Sequence, residues 1–82
     1  MSKEIECHER LTKVFRENFD NPTLEIEDEH NADSIPGWDS LAHVTLIVSI
    51  EEEFGVSFST AEIASLNCVG DIRKIIIERA EF

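Results

Sequence analysis

Gly37-Trp38-Asp39-Ser40-Leu41 is the stretch on which the predicted fold depends, because it joins a long polar segment to the most apolar helix of the chain. That helix is predicted over Ser40–Phe54. Its apolar residues extend around the cylinder: Leu41, Val44 and Val48 form one stripe, and Leu46, Ile47, Ile50 and Phe54 widen it. A helix this apolar is expected to be contacted from several sides. We therefore predict that it is the central element of the fold.

The first helix and the loop after it come before this stretch. The helix is predicted from about Ser2 to Asn18 and is stopped by Asp20-Asn21-Pro22. Its inward face consists of Ile5, Leu11, Val14, Phe15 and Phe19. The loop from Asp20 to Asp39 is long for a compact domain, and such loops are usually functional or disordered. Four apolar residues can pin it to the core, so we expect it to be ordered: Leu24, Ile26, Ile35 and Trp38.

The rest of the chain predicts a short helix followed by a longer one. Ser59 and Glu62 have the spacing of a capping box, which starts a short helix carrying Ile63 and Leu66. A last helix is predicted over Val69–Ala80, with Val69, Ile72, Ile75 and Ile76 facing inward. The predicted fold is therefore all-α. It is a four-helix bundle of three longer helices and one short one, with a long ordered loop between the first two, in a single domain over residues 1–82.

The distribution of charge restricts the partners that the protein can have. The net charge is −11, and no lysine or arginine occurs from Glu17 to Ile72, a span that holds 13 acidic residues. Binding to nucleic-acid phosphates or anionic membranes needs clustered cations. We therefore expect neither nucleic-acid binding nor membrane insertion. The acidic field favours partner proteins with basic patches, although solubility alone would also explain it.

The cysteines and the acidic loop do not predict a metal site. Cys7 and Cys68 have no CxxC spacing and are expected to be reduced thiols that pack as small apolar residues. The loop lacks the ligand alternation and the glycine of an EF-hand. No apolar run reaches the roughly 18 residues of a membrane span, and the first residues lack the apolar region of a signal peptide. The predicted location is the cytoplasm.

Ser40 has three interpretations from the residues alone. It can be a helix cap, since both Asp39 and Ser40 are preferred capping residues. It can be a nucleophile with His43 one turn away, although one exposed turn supplies neither a pocket nor an oriented base. It can also carry a phosphodiester, because the N-terminus of a helix favours an anion.

The stretch Gly37-Trp38-Asp39-Ser40-Leu41 resembles the G-x-D-S-L signature of acyl carrier proteins. The resemblance continues through Glu51-Glu52-Glu53-Phe54 to Val69 and Ile72, and the order of helices is similar throughout. It implies that Ser40 receives a 4′-phosphopantetheine arm from coenzyme A through a phosphopantetheinyl transferase. The thiol of the arm would carry an acyl group as a thioester between partner enzymes. The protein would then be a carrier and not an enzyme, and we expect it to be a monomer.

The resemblance also implies roles for other residues. Asp39 and Leu41 would help the transferase to recognise the site, and Glu51 and Glu52 would meet basic docking patches on acyl-loading and acyl-transfer enzymes. Candidates for lining an acyl cleft are Val44, Val48, Ile50, Ile63 and Leu66, which can equally be ordinary core residues.

Several residues depart from the pattern of fatty-acid carriers, namely Pro36, Trp38, Ala42, His43 and Thr45. We therefore expect a carrier dedicated to one pathway, such as one that makes a polyketide, a specialised lipid or an acylated glycan. The alternatives are an aminoacyl or peptidyl carrier, and an acidic protein-interaction module in which Ser40 is only a helix cap.

Overall fold

The protein is a bundle of four α-helices joined by ordered loops. The computed structural model describes residues 3–81. The helices are α1 (Lys3–Asn18), α2 (Ser40–Phe54), α3 (Thr60–Ser65) and α4 (Val69–Arg79). No strand occurs within this described range, so the all-α prediction with one short helix is confirmed. The predicted start of the first helix at Ser2 lies outside the described residues.

Helix α1, and not α2 as predicted, makes the most extensive contacts with other helices, because it packs against both α2 and α4. The largest fully buried side chains come from these three helices: Leu11 and Phe15 of α1, Leu46, Ile47 and Ile50 of α2, and Val69, Ile72 and Ile76 of α4. Together they form one apolar core.

One side of α2 is apolar but exposed, which corrects the prediction that this helix is contacted from several sides. The side chains of Leu41, Val44 and Val48 are 78%, 52% and 48% exposed. Ile5 of α1 was also predicted to face inward and is 53% exposed. Helical spacing places these residues on a shared face, but it does not say whether another element covers that face.

The loop between α1 and α2 supplies hydrogen-bond acceptors for the first backbone N–H groups of α4. The backbone N–H groups of Val69 and Gly70 donate to the carbonyl oxygens of His30 (2.9 Å) and Asp28 (3.0 Å). The side chain of Cys68, the N-cap residue of α4, makes no capping hydrogen bond. A Cβ atom on Gly70 would lie 3.2 Å from both the Cβ and the carbonyl oxygen of Asp28. Glycine at this position therefore allows the loop to approach the helix closely.

Apolar side chains hold the same loop against the core, as predicted. Ile26, Ile35 and Trp38 are buried, and Leu24 is half-buried. The indole ring of Trp38 meets the ring of Phe15 edge-on, with centroids 5.5 Å apart. The loop is therefore ordered, and it delivers the chain to the start of α2 in a defined position.

Helix α3 begins with the predicted capping box. The Ser59 hydroxyl accepts from the Glu62 backbone N–H (3.1 Å), and the Glu62 carboxylate accepts from the Ser59 backbone N–H (2.9 Å). The guanidinium of Arg79 donates to the same carboxylate, with Nη1 2.8 Å from Oε1. This ion pair ties the end of α4 to the start of α3.

The hydrogen bond from Arg79 lowers the pKa of the Glu62 carboxyl from 4.5 to about 2, and the capping bond to Ser59 acts in the same direction. A group whose pKa is lower in the folded state stabilises the fold above its unfolded pKa. We therefore expect this contribution to be complete above about pH 4.5 and to disappear as the pH falls towards 2. In an NMR titration, Arg79→Gln should move the Glu62 midpoint up towards its ordinary value. A midpoint that stays where it is in the wild type would show that Arg79 is not the cause.

The remaining sequence-based expectations concern membranes, metals and thiols. None of the described helices is long and apolar enough to cross a membrane. Within residues 3–81, no group of three or more His, Cys, Asp or Glu side chains could hold a metal ion. Cys7 is buried and Cys68 is half-buried, and both are free thiols. Burial raises the pKa of the Cys7 thiol, which keeps it protonated and unreactive.

Candidate functional site

Asp39 is the residue that caps α2. Its backbone is extended, and its Oδ1 accepts from the Ala42 backbone N–H at 2.8 Å. Its carbonyl oxygen accepts from the His43 backbone N–H at 2.8 Å, which is the first hydrogen bond of the helix. Asp39 thus satisfies one of the N–H groups that a helix start leaves without an intrahelical partner.

Ser40 is the first residue of α2, and its side chain is exposed. In the described part of the chain the Ser40 hydroxyl has no hydrogen-bond partner. The interpretation of Ser40 as the helix cap is therefore wrong, because its neighbour Asp39 already supplies the capping oxygen. This leaves the Ser40 hydroxyl accessible at the N-terminus of a 15-residue helix.

His43 connects three elements of the site through both of its ring nitrogens. The indole Nε1–H of Trp38 donates to His43 Nδ1 at 3.0 Å. The His43 Nε2 atom lies 3.1 Å from the carbonyl oxygen of Ile63. Because an indole nitrogen can only donate, Nδ1 must accept, so the proton is on Nε2 and is donated to Ile63. The loop, α2 and α3 are thus linked by one imidazole.

This arrangement excludes a Ser–His hydrolytic pair. A general base needs a free ring nitrogen directed at the serine hydroxyl, and both nitrogens of His43 are engaged elsewhere. The side chain of Asp39 binds the start of the helix rather than the imidazole. His43 is half-buried and has a structural role in this constellation.

An open groove of about 580 Å³ lies beside Ser40. One wall comes from the loop and the start of α2, and the other from α3 and the segment after it. The lining residues are Ala32, Trp38, Asp39, Ser40, His43, Thr60, Ile63, Ala64, Leu66 and Asn67. Most of this surface is apolar, and a volume of this size is typical of sites for one small organic ligand.

The five cleft candidates do not lie together. Ile63 is half-buried and Leu66 is buried, and both line the groove. Val44 and Val48 lie on the exposed side of α2, and Ile50 is fully buried in the core. None of these three is among the residues that line the groove.

The two glutamates predicted to meet partners differ in their surroundings. The Glu51 carboxylate accepts from the Phe58 backbone N–H at 2.8 Å, so it holds the segment between α2 and α3. Glu52 is exposed on the same side of α2 as the apolar stripe of Leu41, Val44 and Val48, which is called the α2 stripe below. Residues 41, 44, 48 and 52 follow helical spacing, so an acidic side chain lies at the end of the stripe.

Comparison with known proteins places this site in a family. Residues 9–76 match a family model described as a phosphopantetheine attachment site. The chain belongs to this family. A similar solved structure is the NMR structure of a holo acyl carrier protein from Geobacter metallireducens, with a TM-score of 0.81 and 35% sequence identity. The match covers 88% of this chain and 83% of that one.

The protein is therefore a carrier of the acyl-carrier-protein type and not an enzyme, and its prosthetic group is 4′-phosphopantetheine. The site of the carrier fits this group. It combines an exposed hydroxyl on the first residue of a helix, a neighbouring residue that caps that helix, and a groove that begins at the same hydroxyl.

Proposed function

We propose that Ser40 bears the 4′-phosphopantetheine arm and that this carrier conveys acyl groups between enzymes. The observation that carries the proposal is the exposed Ser40 hydroxyl, which the helix does not need because Asp39 caps it. In the attachment step, Ser40 Oγ forms a bond to the phosphorus next to the pantetheine of coenzyme A. The pyrophosphate bond breaks, adenosine 3′,5′-bisphosphate leaves with the electron pair, and the serine loses its proton. Once bound, the arm supplies a thiol that holds an acyl group as a thioester.

The start of α2 favours the phosphodiester that this reaction would leave on the protein. The first N–H groups of a helix have no intrahelical acceptor, and the helix dipole is positive at this end. Asp39 Oδ1 takes only the N–H of Ala42. An anion on Ser40 is therefore stabilised by the helix that presents it.

The α2 stripe and Glu52 support docking of partner enzymes on this side of α2. Monomeric proteins seldom leave several large apolar side chains together in water, and such patches usually mark binding surfaces. The transferase would contact Leu41, which is 78% exposed, next to Asp39. Enzymes that load or transfer acyl groups would add basic residues opposite Glu52.

Alanine substitutions of Glu51 and Glu52 should distinguish a residue that stabilises the fold from one that binds partner enzymes. We expect Glu51→Ala to cost about 1 kcal/mol, because it frees the Phe58 N–H, and so to lower the melting temperature by about 4–8 °C in a domain of this size. Glu52→Ala should change stability by less than about 0.5 kcal/mol but should raise the KM of the transferase for the carrier. Thermal unfolding and transferase kinetics test the pair. Equal effects of the two substitutions on KM would argue against docking through Glu52.

We propose that the cargo is an acyl group of a pathway other than general fatty-acid synthesis, such as a polyketide, a specialised lipid or an acylated glycan. Ile63 and Leu66 support an apolar cargo, since both line the groove beside Ser40. The surface near Ser40 presents Ala42 and Thr45 in place of acids, which favours a dedicated set of partners.

Two free thiols are compatible with a cytoplasmic location, where cysteines stay reduced. An aminoacyl or peptidyl carrier would differ in the mass of its native load.

Incubation with coenzyme A and a phosphopantetheinyl transferase tests the proposal. We expect the intact protein to gain the mass of one phosphopantetheine group, and a subsequent reaction with an acyl donor to add an acyl group that hydroxylamine removes. A protein that gains no mass under conditions in which another acyl carrier protein is fully converted would contradict the proposal.

A further inference from the structure

Two aromatic rings, Trp38 and His43, form the part of the groove lining that is called the floor of the groove below. Their planes are 22° apart and their centroids 5.9 Å apart, and the Nε1–H of Trp38 donates to His43 Nδ1. Trp38 lines the groove on one side and contacts Phe15 of the core on the other. The fully buried residues Ile47 and Ile50 are not part of the groove lining. The pair therefore lies between the groove and the interior on the side of α1 and α2, while Ile63 and Leu66, which also belong to or pack against the core, line the opposite wall.

His43 also bridges α2 and α3, the two helices that line opposite sides of the groove. Its Nε2–H donates to the Ile63 carbonyl, so the imidazole extends from α2 to the last turn of α3. A chain entering the core at this point must displace the imidazole. It would thereby leave the Trp38 N–H without its acceptor and remove the closer of two donors to the Ile63 carbonyl, which also accepts from the Leu66 backbone N–H at 3.4 Å. Unpaired polar groups in a partly buried site are costly, so the closed arrangement is favoured.

We propose that the Trp38–His43 pair keeps acyl chains of any length in the outer groove and out of the core, so that only a short acyl group is sheltered by the protein. The inference rests on the proposed attachment of the arm to Ser40. A groove of about 580 Å³ suits one small organic ligand. The phosphopantetheine arm is itself such a ligand, so an arm that lay in the groove would leave little sheltered space beyond a short acyl group.

The test compares a butyryl with a hexadecanoyl load on the arm, in the wild type and in His43→Ala. In the wild type, the methyl resonances of Leu46, Ile47 and Ile50 should have the same chemical shifts with the long chain as with the short chain. Hydroxylamine should also cleave both thioesters at similar rates. In His43→Ala the long chain should shift these methyl resonances. Hydroxylamine should cleave its thioester at least roughly tenfold more slowly than in the wild type. Burying only two methylene groups already favours a sheltered state by about that factor.

Two further variants make the result specific. His8→Ala removes an exposed histidine of α1 and should behave as the wild type. Trp38→Phe keeps a ring against Phe15 but removes the N–H that binds His43, so it should admit the long chain in part, even if His43→Ala folds poorly. In the wild type, ¹⁵N spectra should show His43 protonated on Nε2 and bare on Nδ1.

The outcomes separate the inference from the proposed function. Core methyl shifts with the long chain in the wild type would overturn the inference while leaving the attachment of the arm intact. The same would follow if neither His43→Ala nor Trp38→Phe differed from the wild type. Failure of the wild type to accept any arm would overturn the proposed function, and the inference with it.

Discussion

Trp38→Ala is expected to destabilise the protein by about 3–5 kcal/mol, the usual cost of truncating a large buried aromatic residue to alanine. The Trp38 side chain is only 6% exposed and meets Phe15 edge-on with centroids 5.5 Å apart. It also donates the hydrogen bond to His43. A domain of this length has a total stability of roughly 4–12 kcal/mol, so the variant should unfold at a much lower urea concentration. Chemical denaturation followed by circular dichroism measures the loss.

A matched control for this substitution is Leu41→Ala, which also shortens a large apolar side chain next to Ser40. Leu41 is 78% exposed, so the change in the free energy of unfolding should be within about 0.5 kcal/mol. If Trp38→Ala cost less than about 1 kcal/mol, Trp38 would not be the anchor that joins the loop to the core.

Ser40→Ala and Ser59→Ala are expected to have opposite effects. Ser40→Ala should abolish the mass gain with coenzyme A and leave the free energy of unfolding almost unchanged, because Asp39 caps α2. Ser59→Ala removes the hydroxyl that caps α3 and should cost about 0.5–2 kcal/mol while the mass gain remains complete. Intact-protein mass spectrometry and thermal unfolding measure the two effects on the same samples.

The pair of serine variants also tests the rival interpretation of Ser40. A serine that served as a cap would lose stability on substitution by alanine, as Ser59 does. If Ser40→Ala lost about as much stability as Ser59→Ala, the assignment of the cap to Asp39 would be contradicted. If Ser40→Ala still gained the full mass, the arm would be attached elsewhere.

Much of the fold could be predicted from the sequence because its signals are local. The bounds of α2, the glycine that ends it and the capping box of α3 depend on residues within four positions of one another. Gly55 ends α2 in the left-handed conformation, with φ +66°, and Ser59 and Glu62 form the capping box that their spacing predicts. In such local patterns, the residues that form the pattern also make the interactions that fix the structure.

Long-range features of the same fold could not be predicted in this way. Helical spacing groups Leu41, Val44 and Val48 with the buried residues. An exposed apolar face of a helix has the same spacing in the sequence as a face that packs against the core. Nothing in the spacing of residues indicates that loop carbonyls cap α4 at Gly70.

The sequence indicates only some of the residues of the candidate site. The motif singled out Ser40, but two adjacent residues that both make good caps left its role open, and only the position of the Asp39 carboxylate decides which of them is the cap. The link from His43 to Ile63 spans 20 positions of sequence and follows no periodic pattern. Contacts of this kind depend on the tertiary structure, so the floor of the groove could not be found from the sequence.

The position of the arm is the most direct test of the proposed function. After incubation with coenzyme A and a transferase, the protein would be digested and the modified peptide fragmented in a mass spectrometer. We predict that the added phosphopantetheine lies on Ser40 and that every molecule carries a single group. A modification located on any other serine, or distributed among several, would contradict the claim that Ser40 carries the arm.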